Sequence, residues 1–209
     1  MIANVAAGPM IAIEDVAASA HFRHLSTIAG IDTDLRYASA GNFVGRDLYG
    51  QLDCAFLHRE AALALEKVVA WLAERRPDLR LLVLDALRPQ RVQEQLWQAL
   101  RGTALQAYIA EPGRGSIHSF GMALDVTLTD RAGAELDMGT AFDDLSELSH
   151  PALEPQLLAS GALSDIQLAH RRLLRGAMNQ AGWDGIHSEW WHFDCGDREL
   201  VRRSYRRVL

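Results

Sequence analysis

The stretch "GSIHSFGMALDVTL", residues 115–128, decides the fold prediction for this chain of 209 residues. From Ala123 onward, aliphatic residues alternate with small or polar ones, a period of two that predicts a β-strand with an aliphatic face and a more polar face. A buried aspartate such as Asp125 is costly in a strand unless it is paired or binds a metal. His118 lies at an odd offset from it, but Gly121 between them can supply a bend. The stretch therefore predicts a pair of metal ligands formed where a turn enters a strand.

The remainder of the chain predicts helices followed by strands in one domain. There is no repeat or linker that would divide residues 1–209, and residues 31–50 are extended or looped. Because the strands do not alternate regularly with helices, we expect an α+β fold with a central antiparallel sheet flanked by helices. Periodicity predicts helices over 53–76 (ended by Pro77), 90–102 and 164–181. It predicts strands over 79–87, where Arg88 and Pro89 begin a loop, and over 122–128, and a loop followed by a strand over 182–195.

Charge and hydropathy argue against some partners. The formal net charge of -6 argues against nucleic acid as a partner, because nucleic-acid binding usually needs a basic face. No apolar run reaches the roughly 18–20 residues that would span a bilayer, so we expect no membrane partner. The basic tail, residues 198–209, predicts an amphipathic surface helix whose inward residues are Leu200, Val201, Tyr205 and Val208.

The compartment and the oligomeric state are less constrained. The apolar N-terminus lacks a basic leading segment and is interrupted by Glu14 and Asp15, so it makes a poor signal peptide. Cys54 and Cys195 lack the C-x-x-C spacing of zinc or redox motifs, and we expect them to be small buried thiols. The poor signal peptide and the two expected thiols favour the cytoplasm. The periplasm is the alternative if an export signal has been removed. The oligomeric state stays open.

The string "EWWHF", residues 189–193, supplies candidates for a third ligand and a base. If His192 lies on a strand next to Asp125, the set His118, Asp125 and His192 leaves one open position, as in catalytic zinc sites. Glu189 would then lie close to zinc-bound water as a general base, and the aromatic residues would wall the site. Spacing alone leaves other interpretations open: His192 as a core histidine, the aromatics as plain core, and His187 as a competing ligand.

These strings resemble the zinc D-alanyl-D-alanine dipeptidases, the family that includes the vancomycin-resistance dipeptidases. The resemblance covers about residues 30–195 in the family's order, and it implies a zinc D-Ala-D-Ala peptidase (hedgehog-like) fold with one Zn²⁺ per chain. The matching segments are "DLRYASAGNF" (34–43), "LDALRP" (84–89), "GSIHSFGMALDVTL" (115–128), "LDMGTAFDDLSELSH" (136–150) and "EWWHF" (189–193).

The resemblance also implies roles for individual residues. His118, Asp125 and His192 match the family's zinc ligands, and Glu189 matches its general base. Arg88 matches the arginine that stabilises the oxyanion formed from the scissile carbonyl, for which a planar guanidinium is well suited. The residues expected to bind the dipeptide or to line its cleft are Tyr37, Ser116, Asp143, Asn42 and Phe43.

The expected activity is zinc-dependent hydrolysis of a free dipeptide, with D-alanyl-D-alanine as the first candidate. Two departures leave the substrate open: Phe120 replaces a basic residue of the resistance enzymes, and the loop between Arg88 and Ser116 is shorter. One alternative is a D,D- or L,D-carboxypeptidase that trims peptidoglycan stem peptides, which needs an open cleft. Another is a non-catalytic zinc module that binds cell-wall fragments, but such a module needs neither Glu189 nor Arg88.

Overall fold

The computed structural model describes residues 9–209, and strands and helices alternate irregularly along them. The strands are β1 (Met10–Ile11), β2 (Phe22–His24), β3 (Ile31–Thr33), β4 (Phe56–His58), β5 (Leu79–Asp85), β6 (Ala123–Asp130), β7 (Trp183–Gly185), β8 (His192–Cys195) and β9 (Arg207–Val208). The helices are α1 (Arg59–Arg75), α2 (Gln90–Ala99), α3 (Glu154–Ala159), α4 (Asp165–Asn179) and α5 (Arg198–Ser204).

A five-stranded sheet in the order β3-β5-β6-β8-β7 forms the centre of the molecule. Its pairs are antiparallel except β3 with β5 at one edge, which is parallel. Helices α1 and α4 pack against the sheet and against each other. The predicted α+β fold, with a mainly antiparallel sheet flanked by helices, is confirmed.

The strand β6 lies at the middle of this sheet and carries the two faces that its alternation predicts. Its aliphatic residues Leu124, Val126 and Leu128 are fully buried and share one core with Leu65 and Val68 of α1. Because successive side chains on a strand point to opposite faces, Asp125 is directed away from that core. The helices therefore cover one face of β6, and the other face is left for polar side chains.

The bend predicted at Gly121 is present. A 3-10 turn over Ile117–Phe120 carries His118 and ends at Gly121, which has a φ of 65°. A Cβ atom at this position would lie 2.7 Å from the main-chain nitrogen of His58. Both the left-handed backbone and the close approach of β4 therefore favour glycine, and the turn passes directly into β6.

Two helix predictions need correction. The helix predicted from residue 53 begins at Arg59, because β4 precedes it and pairs with β2. The Nδ1 atom of His58 caps this helix by accepting from the Glu60 N–H at 3.4 Å. The predicted tail helix ends at Ser204, and Val208 is buried in β9, which pairs in parallel with β1. Leu200 is exposed, contrary to prediction, whereas Val201 is buried.

Several smaller predictions also have an outcome. Strand β7 was missed, since residues 183–185 were expected to be loop. Cys54 and Cys195 are buried free thiols, as expected. Across residues 9–209, no helix is both long enough and apolar enough to cross a membrane. Part of the N-terminal stretch considered as a signal peptide, residues 1–8, lies outside the described residues.

Candidate active site

Three side chains converge where the 3-10 turn, β6 and β8 meet. Asp125 and His192 are directly opposite each other in the antiparallel pair of β6 with β8. The Nδ1 atom of His192 lies 3.0 Å from Oδ1 of Asp125 and 3.2 Å from Nε2 of His118. The third separation, from Nε2 of His118 to Oδ1 of Asp125, is 3.4 Å. The three atoms form a nearly equilateral triangle.

The size of this triangle fits one tetrahedral zinc ion. Bonds of about 2.0–2.1 Å at tetrahedral angles separate neighbouring ligand atoms by about 3.3 Å, and the three observed separations bracket that value. His118 and Asp125 are buried, and burial raises the pKa of Asp125, but His118 and His192 hold that pKa below its usual range. Over residues 9–209, no other set of three or more His, Cys, Asp or Glu side chains could hold a metal ion.

The far nitrogen of each histidine is occupied by a protein acceptor. Nδ1 of His118 lies 2.7 Å from the carbonyl oxygen of Ala86, and Nε2 of His192 lies 3.0 Å from Oδ1 of Asp194. A neutral imidazole has one N–H, so these acceptors favour the tautomers that leave Nε2 of His118 and Nδ1 of His192 as lone pairs. Such outer contacts orient histidine ligands in metal sites.

Arg88 is buried next to the ligands, three residues after the end of β5. Its Nε and Nη2 donate to Oδ2 of Asp85 at 2.9 and 2.7 Å, and Nη2 also donates to Oδ2 of Asp125 at 3.3 Å. Nη1 donates to Oε1 of Gln93 at 3.2 Å. A guanidinium has five N–H groups, so one N–H on Nη1 is left over for a ligand in the cleft.

The orientation of Arg88 is fixed from several sides. Asp85 is fully buried and also accepts a hydrogen bond from the hydroxyl of Tyr49. The guanidinium carbon lies 4.7 Å from the centre of the Tyr37 ring. Gln93 is buried as well, and its Nε2 donates to the carbonyl oxygen of Ala110 at 2.8 Å. These contacts hold the free N–H in place before any ligand binds.

A cleft of about 510 Å³ opens over the cluster. Glu189 lines it half-buried, and desolvation raises the pKa of this carboxyl to about 7, with the charge of Asp125 adding to the effect and His192 opposing it. A carboxyl with a pKa near neutrality is suited to accept and return a proton. Besides the three candidate ligands, the lining includes Tyr37, Arg88, Ser116, Asp143 and Glu189.

Asp143 lies in the cleft wall formed by residues 136–150. Its φ of 62° places it in the left-handed region, where residues other than glycine are uncommon and aspartate is one of the more frequent exceptions. Oδ1 accepts from the Tyr37 hydroxyl at 3.1 Å, and Oδ2 accepts from the main-chain N–H of Phe43 at 3.3 Å. Burial, followed by the charge of Asp125, raises the pKa of Asp143 to about 8. An incoming cation would stabilise the ionised form of this carboxyl.

Two residues expected at the cleft do not line it. Asn42 organises its own loop: Nδ2 donates to the carbonyl oxygens of Arg36 and Ser39 at 3.0 and 2.8 Å, and Oδ1 accepts from the Val44 N–H at 3.0 Å. The Phe43 ring packs edge-on against Tyr37, and only its main-chain N–H bears on the site, through Asp143.

The aromatic residues of "EWWHF" are mostly core. Trp191 lines the cleft, whereas Trp190 and Phe193 do not. Phe193 alternates with His192 on β8, so its ring points into the core, and Trp190 donates from Nε1 to Oγ1 of Thr140 at 2.8 Å. His187, the competing ligand, is exposed at the mouth of the cleft and lies outside the cluster.

Four residues of the site were not found from the sequence. Asp194 had a signal, because it lies two positions after His192 and residues i and i+2 share a face of a strand. Asp85 lies three positions before Arg88, a spacing that has no fixed meaning at the end of a strand. Arg198 lies four positions after Asp194 and Gln93 five positions after Arg88. In each pair only one residue belongs to a helix, so the spacing does not by itself predict the contact.

Comparison with known proteins agrees with the resemblance. The family model of the M15 peptidases, described as D-ala-D-ala dipeptidase, matches residues 19–208. The chain belongs to this family. The predicted family, fold and enzyme class are thereby confirmed. The metal prediction is confirmed to the extent that a His/Asp/His cluster able to hold a metal is present.

Curated relatives carry the same description. The D-alanyl-D-alanine dipeptidase of Escherichia coli is 38% identical, with 78% of each chain covered. That of Synechocystis is 31% identical over 74% of each chain, and that of Enterococcus faecium is 28% identical over 85% of this chain and 92% of the relative. A solved LD-carboxypeptidase, LdcB, aligns with a TM-score of 0.47 and 14% identity over 88% of this chain and 71% of its own.

Proposed function

We propose that this protein hydrolyses a free dipeptide, D-alanyl-D-alanine, with one zinc ion held by His118, Asp125 and His192. The observation that carries the proposal is that these three side chains share one cleft with a carboxyl, Glu189, and a fixed guanidinium, Arg88. The substrate is taken from the names of the relatives, which are D-alanyl-D-alanine dipeptidases.

Glu189 is the general base and then the general acid. A zinc ion in the cluster would supply Lewis acidity and lower the pKa of water to about 7. Glu189 accepts the proton of the water molecule that attacks the scissile carbonyl carbon, as the new C–O bond forms. It then donates that proton to the amide nitrogen, the C–N bond breaks, and the second alanine leaves with a neutral amine. The pKa of Glu189, raised to about 7 by burial, suits both directions of transfer.

Arg88 stabilises the negative charge that develops on the carbonyl oxygen. Its remaining N–H on Nη1 donates to that oxygen, while the other four donors stay on Asp85, Asp125 and Gln93. Because these contacts exist before the reaction, no reorganisation is needed as charge forms. Fixed donors of this kind typically contribute about 10²–10³ in turnover.

Asp143 binds the free ammonium of the substrate. The ammonium stabilises the ionised carboxylate, which Tyr37 and the Phe43 N–H already hold. A peptide extended at its amino end lacks this ammonium and would place an amide against a buried carboxyl. Ser116, which is buried in the cleft lining, is assigned to the other end of the dipeptide.

The proposal is tested by a substrate panel on zinc-loaded protein. The panel contains dipeptides of D,D, L,D and L,L stereochemistry and a stem pentapeptide ending in D-Ala-D-Ala. We expect the highest kcat/KM with D-Ala-D-Ala. Higher kcat/KM with the pentapeptide would favour a carboxypeptidase, and tight binding of cell-wall fragments without turnover would favour a non-catalytic module.

The base is tested separately with Glu189→Gln and the control Glu74→Gln, an exposed residue of α1 that does not line the cleft. We expect the first variant to keep its zinc and lose about 10²–10⁴ in kcat, and the control to keep the wild-type rate. Hydrolysis of D-Ala-D-Ala by Glu189→Gln at the wild-type rate, with zinc bound, would refute the role of Glu189.

A further inference from the structure

Asp194, which contacts the far nitrogen of His192, is itself bound by Arg198 of the surface helix α5. Asp194 lies on the same face of β8 as His192 and is 2% exposed. Its Oδ1 is occupied by Nε2 of His192 at 3.0 Å. Its Oδ2 accepts a hydrogen bond from Nε of Arg198, the first residue of α5, and forms an ion pair with Nη2 of the same guanidinium. A chain of charge-assisted hydrogen bonds thus runs from α5 to a candidate metal ligand.

We propose that Arg198 is a positioning residue that acts through Asp194 to fix the ring and the tautomer of His192. Asp194 accepts the single N–H of the imidazole at Nε2, which leaves the lone pair of Nδ1 directed at the cluster. Arg198 holds the carboxylate in the position that this requires. The inference rests on the proposed metal site, but it does not depend on which substrate is hydrolysed.

Burial of Asp194 makes this contact different from an ordinary surface ion pair. Exposed pairs usually contribute little, because water screens both partners. Here the arginine side chain is 47% exposed but the carboxylate side chain only 3%, so loss of Arg198 leaves a buried carboxylate with one oxygen unpaired. Such a group turns toward solvent or recruits water, and either movement releases its hold on His192.

The next arginine on the same face of α5 has no such connection. Arg202 also lines the cleft, but its Nε donates to the carbonyl oxygen of Gly115 at 3.2 Å and its Nη1 to Glu199 at 2.9 Å. Neither partner touches a candidate ligand. Arg198 and Arg202 therefore share the rim of the cleft, and only Arg198 reaches the metal cluster through a buried carboxylate.

The experiment measures the zinc dissociation constant by competition with a chelator, in the absence of substrate. The test variants are Arg198→Met, which keeps the aliphatic stem, and Arg198→Lys, which keeps a charge. The control is Arg203→Met, an exposed arginine of the same helix. We expect Arg198→Met to weaken zinc binding by about 10- to 100-fold, Arg198→Lys to recover part of this loss, and the control to match the wild type.

A double-mutant cycle with Asp194→Asn tests whether Arg198 acts through Asp194. If it does, Arg198→Met has little further effect on the zinc dissociation constant in the Asp194→Asn background. Fully additive losses, or a zinc affinity of Arg198→Met equal to that of Arg203→Met, would overturn the inference. An increase in KM at saturating zinc with unchanged zinc affinity would also overturn it, because Arg198 would then contact the substrate.

Failure of the proposed activity is a separate result. If the protein hydrolyses none of the peptides in the panel but Arg198→Met still weakens zinc binding, the proposed function fails and the inference stands. If the wild type binds no zinc, the inference falls together with the metal site.

Discussion

The metal wall of the cleft (His118, Asp125 and His192) and its loop wall (residues 136–150) are held in different ways. In the metal wall, Asp125 and His192 are opposed in a strand ladder, and the Val126 N–H donates to the Trp191 carbonyl oxygen at 3.0 Å. These bonds join main-chain atoms, which substitution of side chains leaves in place.

The loop wall is held mainly by individual side chains. Arg171, 1% exposed on α4, donates from Nε to the Met138 carbonyl oxygen at 2.6 Å and from Nη2 to that of Leu148 at 2.9 Å. Within the loop wall, the hydroxyls of Thr140 and Ser149 lie 2.8 Å apart, and Oγ1 of Thr140 also accepts a hydrogen bond from Nε1 of Trp190 outside it. Each contact depends on one residue, so single substitutions in the loop wall should change substrate binding and leave the metal in place.

The largest effect is expected from removing a ligand of the metal wall. Asp125→Asn replaces a carboxylate by a neutral amide, a weak ligand for a divalent ion, so we expect loss of both bound zinc and hydrolysis. The measurement is zinc content per chain after dialysis, together with kcat. Asp184→Asn, an exposed position on β7, serves as the control and should bind zinc normally. Equal zinc content in the two variants would contradict the assignment of Asp125.

Arg88→Lys should have the next largest effect and should separate catalysis from metal binding. Lysine keeps the charge, but it cannot reproduce a planar fork that contacts Asp85, Asp125 and Gln93 at once. We expect kcat at saturating zinc to fall by about 10²–10³. The exposed Arg91→Lys is the matched control. A kcat within twofold of the wild type would remove Arg88 from the reaction.

Asp143→Asn addresses the loop wall, where we expect an effect on KM. An amide cannot neutralise the substrate ammonium, so KM for the dipeptide should rise at least tenfold while the zinc affinity stays unchanged. Loss of zinc from this variant would mean that the two walls are not independent.

The same variant tests the raised pKa of Asp143 in the metal-free protein. The folded-state pKa of about 8 lies above the ordinary value of 3.8, so this group stabilises the fold at low pH and that contribution is lost as the pH rises toward 8. The asparagine variant does not titrate there. The free energy of unfolding of the wild type minus that of the variant should therefore fall between pH 5 and 8 and level off above. Urea unfolding at several pH values measures both free energies. If their difference stays constant between pH 5 and 8, the raised pKa of Asp143 is contradicted.

The smallest effect is expected from Thr140→Val, which removes one attachment of the loop wall. Without the hydroxyl, the buried Nε1 of Trp190 has no acceptor there, at a cost of about 1–3 kcal/mol in the free energy of unfolding. KM should rise a few fold as Asp143 loses support, with the zinc dissociation constant unchanged. Urea unfolding and steady-state kinetics measure the two quantities. An unchanged stability would show that Thr140 does not anchor the loop.

The same contrast explains what the sequence could predict. The alternation around Asp125 and the glycine bend after His118 are local patterns, so the strand and the turn could be predicted from them. The convergence with His192 was implied by the resemblance to the family, because spacing alone left His192 open as a core histidine. The attachment of the loop wall to α4 through Arg171 joins residues 23 and 33 positions apart, and no local pattern encodes it.

Other misses have the same physical origin. Asn42 was expected in the cleft because its position matches the family's motif, but its amide instead satisfies the main chain of its own loop. The pairing that turns residues 56–58 into a strand depends on β2, more than 30 positions away. Contacts between residues so far apart in the sequence can override helical periodicity and make a segment a strand.

The most direct test of the account is a crystal structure of the zinc-loaded protein, with anomalous diffraction recorded on both sides of the zinc absorption edge. We predict one anomalous peak per chain within about 2.0–2.2 Å of Nε2 of His118, Oδ1 of Asp125 and Nδ1 of His192, with Glu189 outside bonding distance. A zinc peak elsewhere, or one that lacks any of these three ligands, would contradict the proposed metal site and the reaction built on it.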